Sequence, residues 1–354
     1  MTQRTAPEVS IALTTYNRPK FLNSCIRSIL GQSFSNFEIL IGNDYTDVPV
    51  TPETLGLTDD RITIFNHTSS LGEINNINFL LNSSRGRYFT CIADDDCLFP
   101  DFLKTTIRAM NDTSNPSVVF TDYFHGTTFP DTMPLSSPKP ELRIGGTLFT
   151  DYVTRQIGLI GVGGLFKREF LIALGGVPDL GHCSPYSDVF LALKCSLTNS
   201  LAYVPERLYF LRTHKGSISF SSTDSDVYLT AQKTLIADFL PMIEKEKSRK
   251  ETREVLVHLI NWFASDYRRV LRRSGLNKLK GRGALMIPHM FRAIAHRRLM
   301  QSPLLMFKAA AIDLRHLKFW IKADLSAQVV PKLLSRPKNP MTKGPMILPR
   351  WLCK

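Results

Sequence analysis

The chain has 354 residues and a formal net charge of +13, with 43% hydrophobic and 21% charged residues. This composition excludes a disordered chain, a collagen-like repeat and a coiled-coil rod as descriptions of the whole. The charge is unevenly placed: residues 1–220 carry 18 Lys/Arg against 21 Asp/Glu, a net of −3, and residues 221–354 carry 26 against 10, a net of +16. A mildly acidic part is therefore followed by a strongly basic one, which also holds all three tryptophans, Trp262, Trp320 and Trp351.

The opening MTQRTAPEVS is polar, and no apolar run is long enough to cross a bilayer. Neither a secretory signal nor a transmembrane helix is expected, and the expected location is the cytoplasm. The six cysteines show no CxxC pair and no zinc spacing, so they read as buried thiols rather than as a disulfide framework.

Val9 to Leu13 is an apolar, β-branched run that predicts a buried parallel strand. Thr14 to Arg18 reads as a loop, and Pro19 opens a helix, where its missing N–H costs nothing. That helix carries Phe21, Leu22, Cys25, Ile26, Ile29 and Leu30 at helical spacing and ends at Gly31. Strands are predicted at 37–41, 61–65 and 88–92, with a helix over 74–81. Strand–helix alternation of this length predicts right-handed crossovers and a mostly parallel α/β sheet. A short strand is expected at 118–120, then a long loop, a glycine-rich stretch through Gly158, Gly161, Gly163 and Gly164, helices over 168–174 and 188–197, and extended chain over 200–220. Beyond Phe220 helices are expected near 225–240, 244–273, 284–300 and 304–323.

In a parallel α/β sheet, ligands bind at the carboxyl ends of the strands. Acidic residues stand at two of these ends, Asp44 with Asp47, and Asp94-Asp95-Asp96. Three adjacent carboxylates repel one another, and a divalent cation would relieve the conflict. Mg²⁺ or Mn²⁺ bridging substrate phosphates suits such ligands. A solvated acidic turn, or a helix N-cap ahead of Pro100-Asp101, is the structural alternative.

From Val9 to about Phe220 the chain resembles the family 2 glycosyltransferases, whose fold is of the GT-A type. The resemblance rests on four blocks in order: VSIALTTYNRPKFL; IGNDYTD, where the family has a DDxSxD turn; LGEINNINFLLNSSRGRYFTCIADDDCLFPDFL; and SDVFLALK followed by VPERLYFLRTHKGSIS. It implies that Thr14 and Tyr16, with Asn17 and Arg18 in the same loop, bind the nucleotide of a nucleotide-diphospho-sugar. Asp44 would hold its base or ribose. Asn78, Asp94 and Asp95 are implied on the nucleotide side, and Asp96 as the metal ligand. Asp188 would be the general base that takes the acceptor hydroxyl's proton in an inverting transfer. His214 is implied at the metal or diphosphate, with Arg212 and Lys215 on phosphate, and the 161–164 glycines as a loop between donor and acceptor. The chain departs from the family's usual pattern at Ile77, Asn43, Tyr45 and Ser187, and it has no QxxRW motif. Single-sugar transfer is therefore expected rather than processive synthesis. A catalytically silent nucleotide-sugar-binding scaffold is the alternative reading.

Two domains are expected, a catalytic domain over 1–220 and a basic amphipathic region over 221–354. In the latter, Arg268-Arg269 and Arg272-Arg273 share a helix face, and apolar stripes such as Phe291, Ile294, Ala295 and Leu299 run beside basic residues. Such helices suit an anionic bilayer surface, with tryptophans at the interface. Attachment there would bring the site to a lipid-linked glycan acceptor. Packing on the catalytic domain and partner binding are the other uses. Nucleic acid is not an expected partner, because charge alone carries no recognition motif.

Overall fold

The computed structural model describes residues 6–112, 115–130, 143–144, 148–153, 156–181, 186–197, 201–214, 216–217, 225–246, 259 and 262. The chain opens with β1 (Val9–Thr15), α1 (Pro19–Leu30), β2 (Phe37–Asn43), α2 (Pro52–Leu55), β3 (Ile62–Asn66), α3 (Glu73–Ser83) and β4 (Tyr88–Ala93). These four strands lie parallel in the order β3-β2-β1-β4. Every residue of β1 and β2 is buried, as in mainly apolar strands covered on both faces.

β5 (Cys97–Leu98), α4 (Phe102–Met110), β6 (Val118–Gly126), β7 (Arg143–Ile144), α5 (Leu148–Val153), β8 (Leu165–Lys167), α6 (Arg168–Ala173), α7 (Ser187–Leu197) and β9 (Leu201–Arg212) follow. They extend the sheet to nine strands in the order β3-β2-β1-β4-β8-β6-β9-β5, with β7 on β9. The added half is mixed: β8 runs antiparallel to β4 and β6, β5 and β7 run antiparallel to β9, and β6 and β9 are parallel. The architecture is a mostly parallel α/β sheet of the GT-A kind, as expected.

The strand expected at 118–120 runs on to Gly126. Its second half, TDYFHG, has little apolar character of its own. It stays extended because β9 pairs with it along its whole length, across a register shift at Thr121, Asp122 and Tyr123.

Two polar devices fix the strands that carry the site. At the start of the sheet, neighbouring residues Ser10 and Glu38 hydrogen-bond at 2.6 Å. Glu38 takes the Arg85 guanidinium at 2.6 and 2.9 Å and the Arg85 N–H at 2.9 Å, while Ser10 Oγ takes the Gly86 N–H at 2.8 Å. A Cβ at Gly86 would stand 2.5 Å from the Ser10 nitrogen, so this approach needs glycine. The Arg-Gly pair before β4 thus anchors that strand beside β1. At the other end, buried Asn76 of α3 donates to Gly42 O at 2.9 Å and contacts His67 Nε2 at 2.9 Å.

The chain divides into two compact units. One comprises Met1–Phe149, Ile157–Asp179 and Ser187–Ser217; the other gathers Thr150–Gln156, Leu180–Tyr186 and the chain from Ile218 on. In the second, α8 (Ser225–Glu246) runs through Pro241, six residues past the expected end at 240. Proline removes one helical hydrogen bond but does not here stop the helix. The buried Gln232 amide of α8 donates to Tyr186 OH at 2.8 Å, and Tyr186 meets Tyr228 edge-on at 5.8 Å. The helices expected over 284–300 and 304–323, and all of 244–273 but 244–246, Leu259 and Trp262, lie outside the described residues. No described helix is long and apolar enough to cross a membrane. Cys25, Cys91, Cys97 and Cys195 are buried thiols.

Candidate active site

The carboxyl ends of β1, β2 and β4 meet through their backbones. The Asp44 N–H donates to Thr15 O at 3.0 Å, and the Asp94 N–H donates to Thr14 O at 3.1 Å. Beyond β4, β5 pairs antiparallel with the end of β9, Cys97 opposite Phe210. The Asp94-Asp95-Asp96 turn therefore sits between the loop after β1 and the residues that follow β9.

The three carboxylates have different sets of partners, with Arg18 shared by Asp94 and Asp95. Asp94 accepts from Thr15 Oγ1 at 2.6 Å and from the Tyr16 N–H at 3.3 Å, and its other oxygen lies 2.9 Å from Arg18 Nη2. Burial nevertheless pushes its carboxyl up to about 6, against the pull of Arg18 and Thr15. Asp95 Oδ2 faces two cationic-type groups, Arg18 Nη1 at 2.7 Å and His214 Nε2 at 2.9 Å. Asp96 is enclosed: one oxygen accepts from Tyr209 OH at 2.9 Å and the other from the Arg212 N–H at 2.9 Å. Burial, then Asp95, pushes the Asp96 carboxyl up to about 8.

Asp96, the expected metal ligand, is 4% exposed, and its two hydrogen bonds tie the turn to β9. Asp95, the middle residue, stands beside a histidine. The Gly216 N–H donates to His214 Nδ1 at 3.1 Å, so the ring proton is on Nε2, facing Asp95. Phe21 packs against that ring, centroids 4.7 Å apart. Arg212 turns inward: its Nε donates to Asp95 O at 2.7 Å and its Nη1 to Thr127 O at 3.1 Å. Its guanidinium thus holds the turn's backbone rather than standing open to a phosphate. Lys215 lies outside the described residues.

Asp95 offers a carboxylate oxygen that Mn²⁺ or Mg²⁺ accepts, with water and diphosphate oxygens completing the shell, and the Nε2–H of His214 holds that carboxylate in place. Among the described residues no group of three His, Cys, Asp or Glu side chains is arranged to hold a metal alone. The donor set therefore fits a cation shared with a phosphate-bearing ligand.

Other expected residues are placed as follows. Thr14 is buried at the end of β1. Tyr16 is 54% exposed and meets Tyr45 edge-on, centroids 5.2 Å apart. Asn17 is exposed, with φ 53°, which lets the chain turn from β1 into α1. Asp44 accepts from Ser70 Oγ at 2.7 Å, the Leu71 N–H at 2.6 Å and the Gly72 N–H at 3.0 Å. Its carboxylate thereby fixes the loop that starts α3. The Asn78 amide is spent on the backbone of Val177, donating at 2.9 Å and accepting at 2.9 Å. It joins α3 to the loop after α6. Asn43, a departure from the family pattern, donates to Val48 O and to Asn66 Oδ1, both at 2.9 Å.

Asp188 stands in the first turn of α7, where its Oδ1 accepts the Val189 N–H at 2.7 Å. The glycine-rich loop abuts it: a Cβ on Gly161 would collide with the backbone oxygen and carbon of Asp188. Gly161 thus sets how closely this loop approaches the helix start. Glu73, in the first turn of α3, has a carboxyl raised above the usual range, by desolvation first, then by Asp188 and Asp95. Its side chain is exposed to solvent, and the charges of Asp188, Asp95, Arg18 and Asp94 bear on it.

Sequence reasoning missed Thr15, Tyr209 and Tyr45. Thr15 and Tyr209 lie in strands, and nothing in their spacing announces that each will reach a carboxylate of a distant turn.

Residues 10–173 match the sequence profile of Glycosyl transferase family 2. Asp188 and His214 lie beyond that match. Over 109 residues the chain is 32% identical to the GalNAc(5)-diNAcBac-PP-undecaprenol beta-1,3-glucosyltransferase of Campylobacter jejuni, covering 30% of this chain and 35% of that one. It is 32% identical over 103 residues to an uncharacterized glycosyltransferase of Haemophilus influenzae, covering 28% and 32%. The match thus spans about a third of the length of these relatives. A longer match, 25% identical over 223 residues, covers 60% of this chain and 62% of the putative glycosyltransferase EpsH of Bacillus subtilis. The fold is similar to that of S. aureus TarS 1-349 in complex with UDP-GlcNAc, with a TM-score of 0.62, 16% identity and 91% of each chain covered. Over residues 10–173 the chain therefore resembles the family 2 glycosyltransferases, carried on a GT-A-type sheet.

Proposed function

We propose that this chain is an inverting glycosyltransferase that moves one sugar from a nucleotide-diphospho-sugar to a hydroxyl of a lipid-linked or cell-surface saccharide. The observation that carries this reading is Asp95 with His214 Nε2 2.9 Å away at the carboxyl end of the sheet, a place and a chemistry suited to a cation on a nucleotide diphosphate. The C. jejuni relative named above acts on an undecaprenol-linked glycan by its name, which supports a lipid-linked acceptor.

Asp95, held by the Nε2–H of His214, would bind the cation, which would offset the charge of the leaving diphosphate. Arg18 bridges Asp94 and Asp95 and keeps the turn in place. Tyr16, exposed, and Tyr45, half-buried, offer their rings to the nucleobase. Asp188 accepts the proton of the acceptor hydroxyl as that oxygen bonds to the anomeric carbon. The bond from that carbon to the diphosphate oxygen breaks, and the electron pair leaves with the nucleoside diphosphate.

Calorimetry with UDP-, GDP- and dTDP-sugars, with and without Mn²⁺, tests this reading. Binding of at least one, strengthened by Mn²⁺, with slow donor hydrolysis, is expected; no binding of any would overturn it. We further infer that the basic region beyond residue 220 holds the enzyme on an anionic membrane, supported by its net charge of +16. Flotation with anionic but not neutral vesicles at low salt is the expected result, and failure to float with either would overturn it.

A further inference from the structure

Two guanidiniums reach the Asp94-Asp95-Asp96 turn, and they are held differently. Arg212 is fixed by backbone carbonyls, those of Asp95 and Thr127. Arg18 is held by side chains alone: its Nη1 lies 2.7 Å from Asp95 Oδ2 and its Nη2 lies 2.9 Å from Asp94 Oδ1. Among the described residues its guanidinium has no other polar partner. Its backbone is pinned, because Arg18 O accepts the Phe21 and Leu22 N–H groups at 3.1 and 3.0 Å where α1 begins. The side chain can therefore leave the turn while the loop stays in place. It is 30% exposed, whereas the Asp94 carboxylate behind it is fully buried. Asp94 Oδ1 accepts no hydrogen bond, so the ion contact with Arg18 is what offsets it.

Resting on the transferase reading above, with its cation at Asp95, we propose that Arg18 is a resident counter-ion. In the ligand-free chain it occupies the Asp94 and Asp95 carboxylates and opposes metal binding. The diphosphate of a sugar nucleotide draws it off, so that cation and donor bind together. Two positive charges at one carboxylate repel, so a cation taken at Asp95 competes with the guanidinium already there. A guanidinium pairs with phosphate in the same forked geometry as with carboxylate, so a diphosphate can replace the partners that Arg18 leaves. The turn keeps its shape through the exchange: Asp95 retains His214 Nε2 at 2.9 Å, and Asp94 retains Thr15 Oγ1 at 2.6 Å. The two aspartates lose one positive neighbour and gain another. By linkage, a diphosphate that removes Arg18 strengthens cation binding, and a cation that displaces Arg18 strengthens diphosphate binding.

The test measures the two ligands apart on the full chain. Mn²⁺ alone is followed by the loss of its free electron-spin resonance signal, and UDP, GDP and dTDP are titrated by calorimetry with EDTA present. Arg18→Gln should bind Mn²⁺ about tenfold or more tightly than wild type. The same variant should bind the nucleotide that wild type prefers about tenfold or more weakly. Opposite signs in one variant separate this role from a structural one, because a turn loosened by the substitution would weaken both. Arg18→Lys, which keeps the charge, should return Mn²⁺ affinity toward the wild-type value, and Asp95→Asn added to Arg18→Gln should abolish the gain. Thermal melting verifies that each variant folds; should Arg18→Gln fail to fold, Arg18→Met takes its place with the same expectation. Mn²⁺ affinity unchanged or lowered in the neutral variant, or nucleotide affinity unchanged, overturns this inference and leaves the transferase reading standing. Mn²⁺ binding by neither protein overturns it together with the cation at Asp95. Wild-type protein that binds none of the three nucleotides with EDTA overturns it too; if that protein binds no sugar nucleotide with Mn²⁺ either, the transferase reading falls with it.

Discussion

His214 Nε2 lies 2.9 Å from Asp95 Oδ2, and the Gly216 N–H on Nδ1 fixes which nitrogen faces the carboxylate. One group comes from the turn after β4 and the other from the residues after β9, 119 positions later. Pairing β5 with β9 is what brings them together.

His214→Ala and Asp95→Asn should each weaken the Mn²⁺-dependent part of donor binding by about tenfold or more, the scale on which ligands and their supports affect a metal site. Calorimetry with and without Mn²⁺ checks this, and Mn²⁺-independent binding should change less.

Asp96 should behave as a structural residue. Asp96→Ala removes the acceptor for both Tyr209 OH and the Arg212 N–H. Leaving buried donors unmatched costs about 1–3 kcal/mol each, so urea denaturation should show a clear loss of stability. Asp96→Asn can accept from Arg212 and donate to Tyr209, so it should be milder.

The carboxyls of Asp94 and Asp96 are raised to about 6 and about 8, both by burial. An unfolded aspartate releases its proton near 3.9, so the folded chain holds more protons between that value and about 8. Stability from this source is greatest at low pH and is lost as pH rises through the folded values. Melting temperatures of metal-free protein should fall from about pH 5 to about pH 8.5, and less steeply in Asp96→Asn. Mn²⁺ bound at Asp95, between these two carboxyls in the chain, should favour their charged forms, so it should bind better as pH rises and release protons when it binds.

Asp188→Asn should lower transfer by about 10²–10⁴-fold, the range for removing a general base, while donor affinity stays within about twofold. Single-turnover assays beside calorimetry separate the two. Full transfer by this variant would remove Asp188 from the reaction.

A methyl group at Gly161 would meet the backbone of Asp188, which cannot swing aside as a side chain can. Gly161→Ala should therefore destabilise by about 1–3 kcal/mol and depress transfer beyond what the lost stability explains. Transfer normalised to folded protein measures the second effect.

The parallel half of the sheet could be read in chain order because β1, β2 and β4 are locally apolar runs and Pro19 marks where α1 begins. The acidic ends of two strands, and hence the cleft, were legible for the same reason: a strand's end is a local feature, and carboxylates there stand out by composition. Which carboxylate does what was not legible. Asp94, Asp95 and Asp96 are neighbours in the chain, yet Thr15, His214 and Tyr209 give them three different surroundings. Those partners arrive through non-local pairing of strands, which leaves no periodic trace. Asn78 shows the same limit, since packing ties its amide to the backbone of Val177, 99 positions away. Residue type and local pattern were sufficient for the family resemblance and the parallel strands. The assignment of roles waited on the fold, because a charged group's function depends on what neutralises it, and only tertiary contacts decide that.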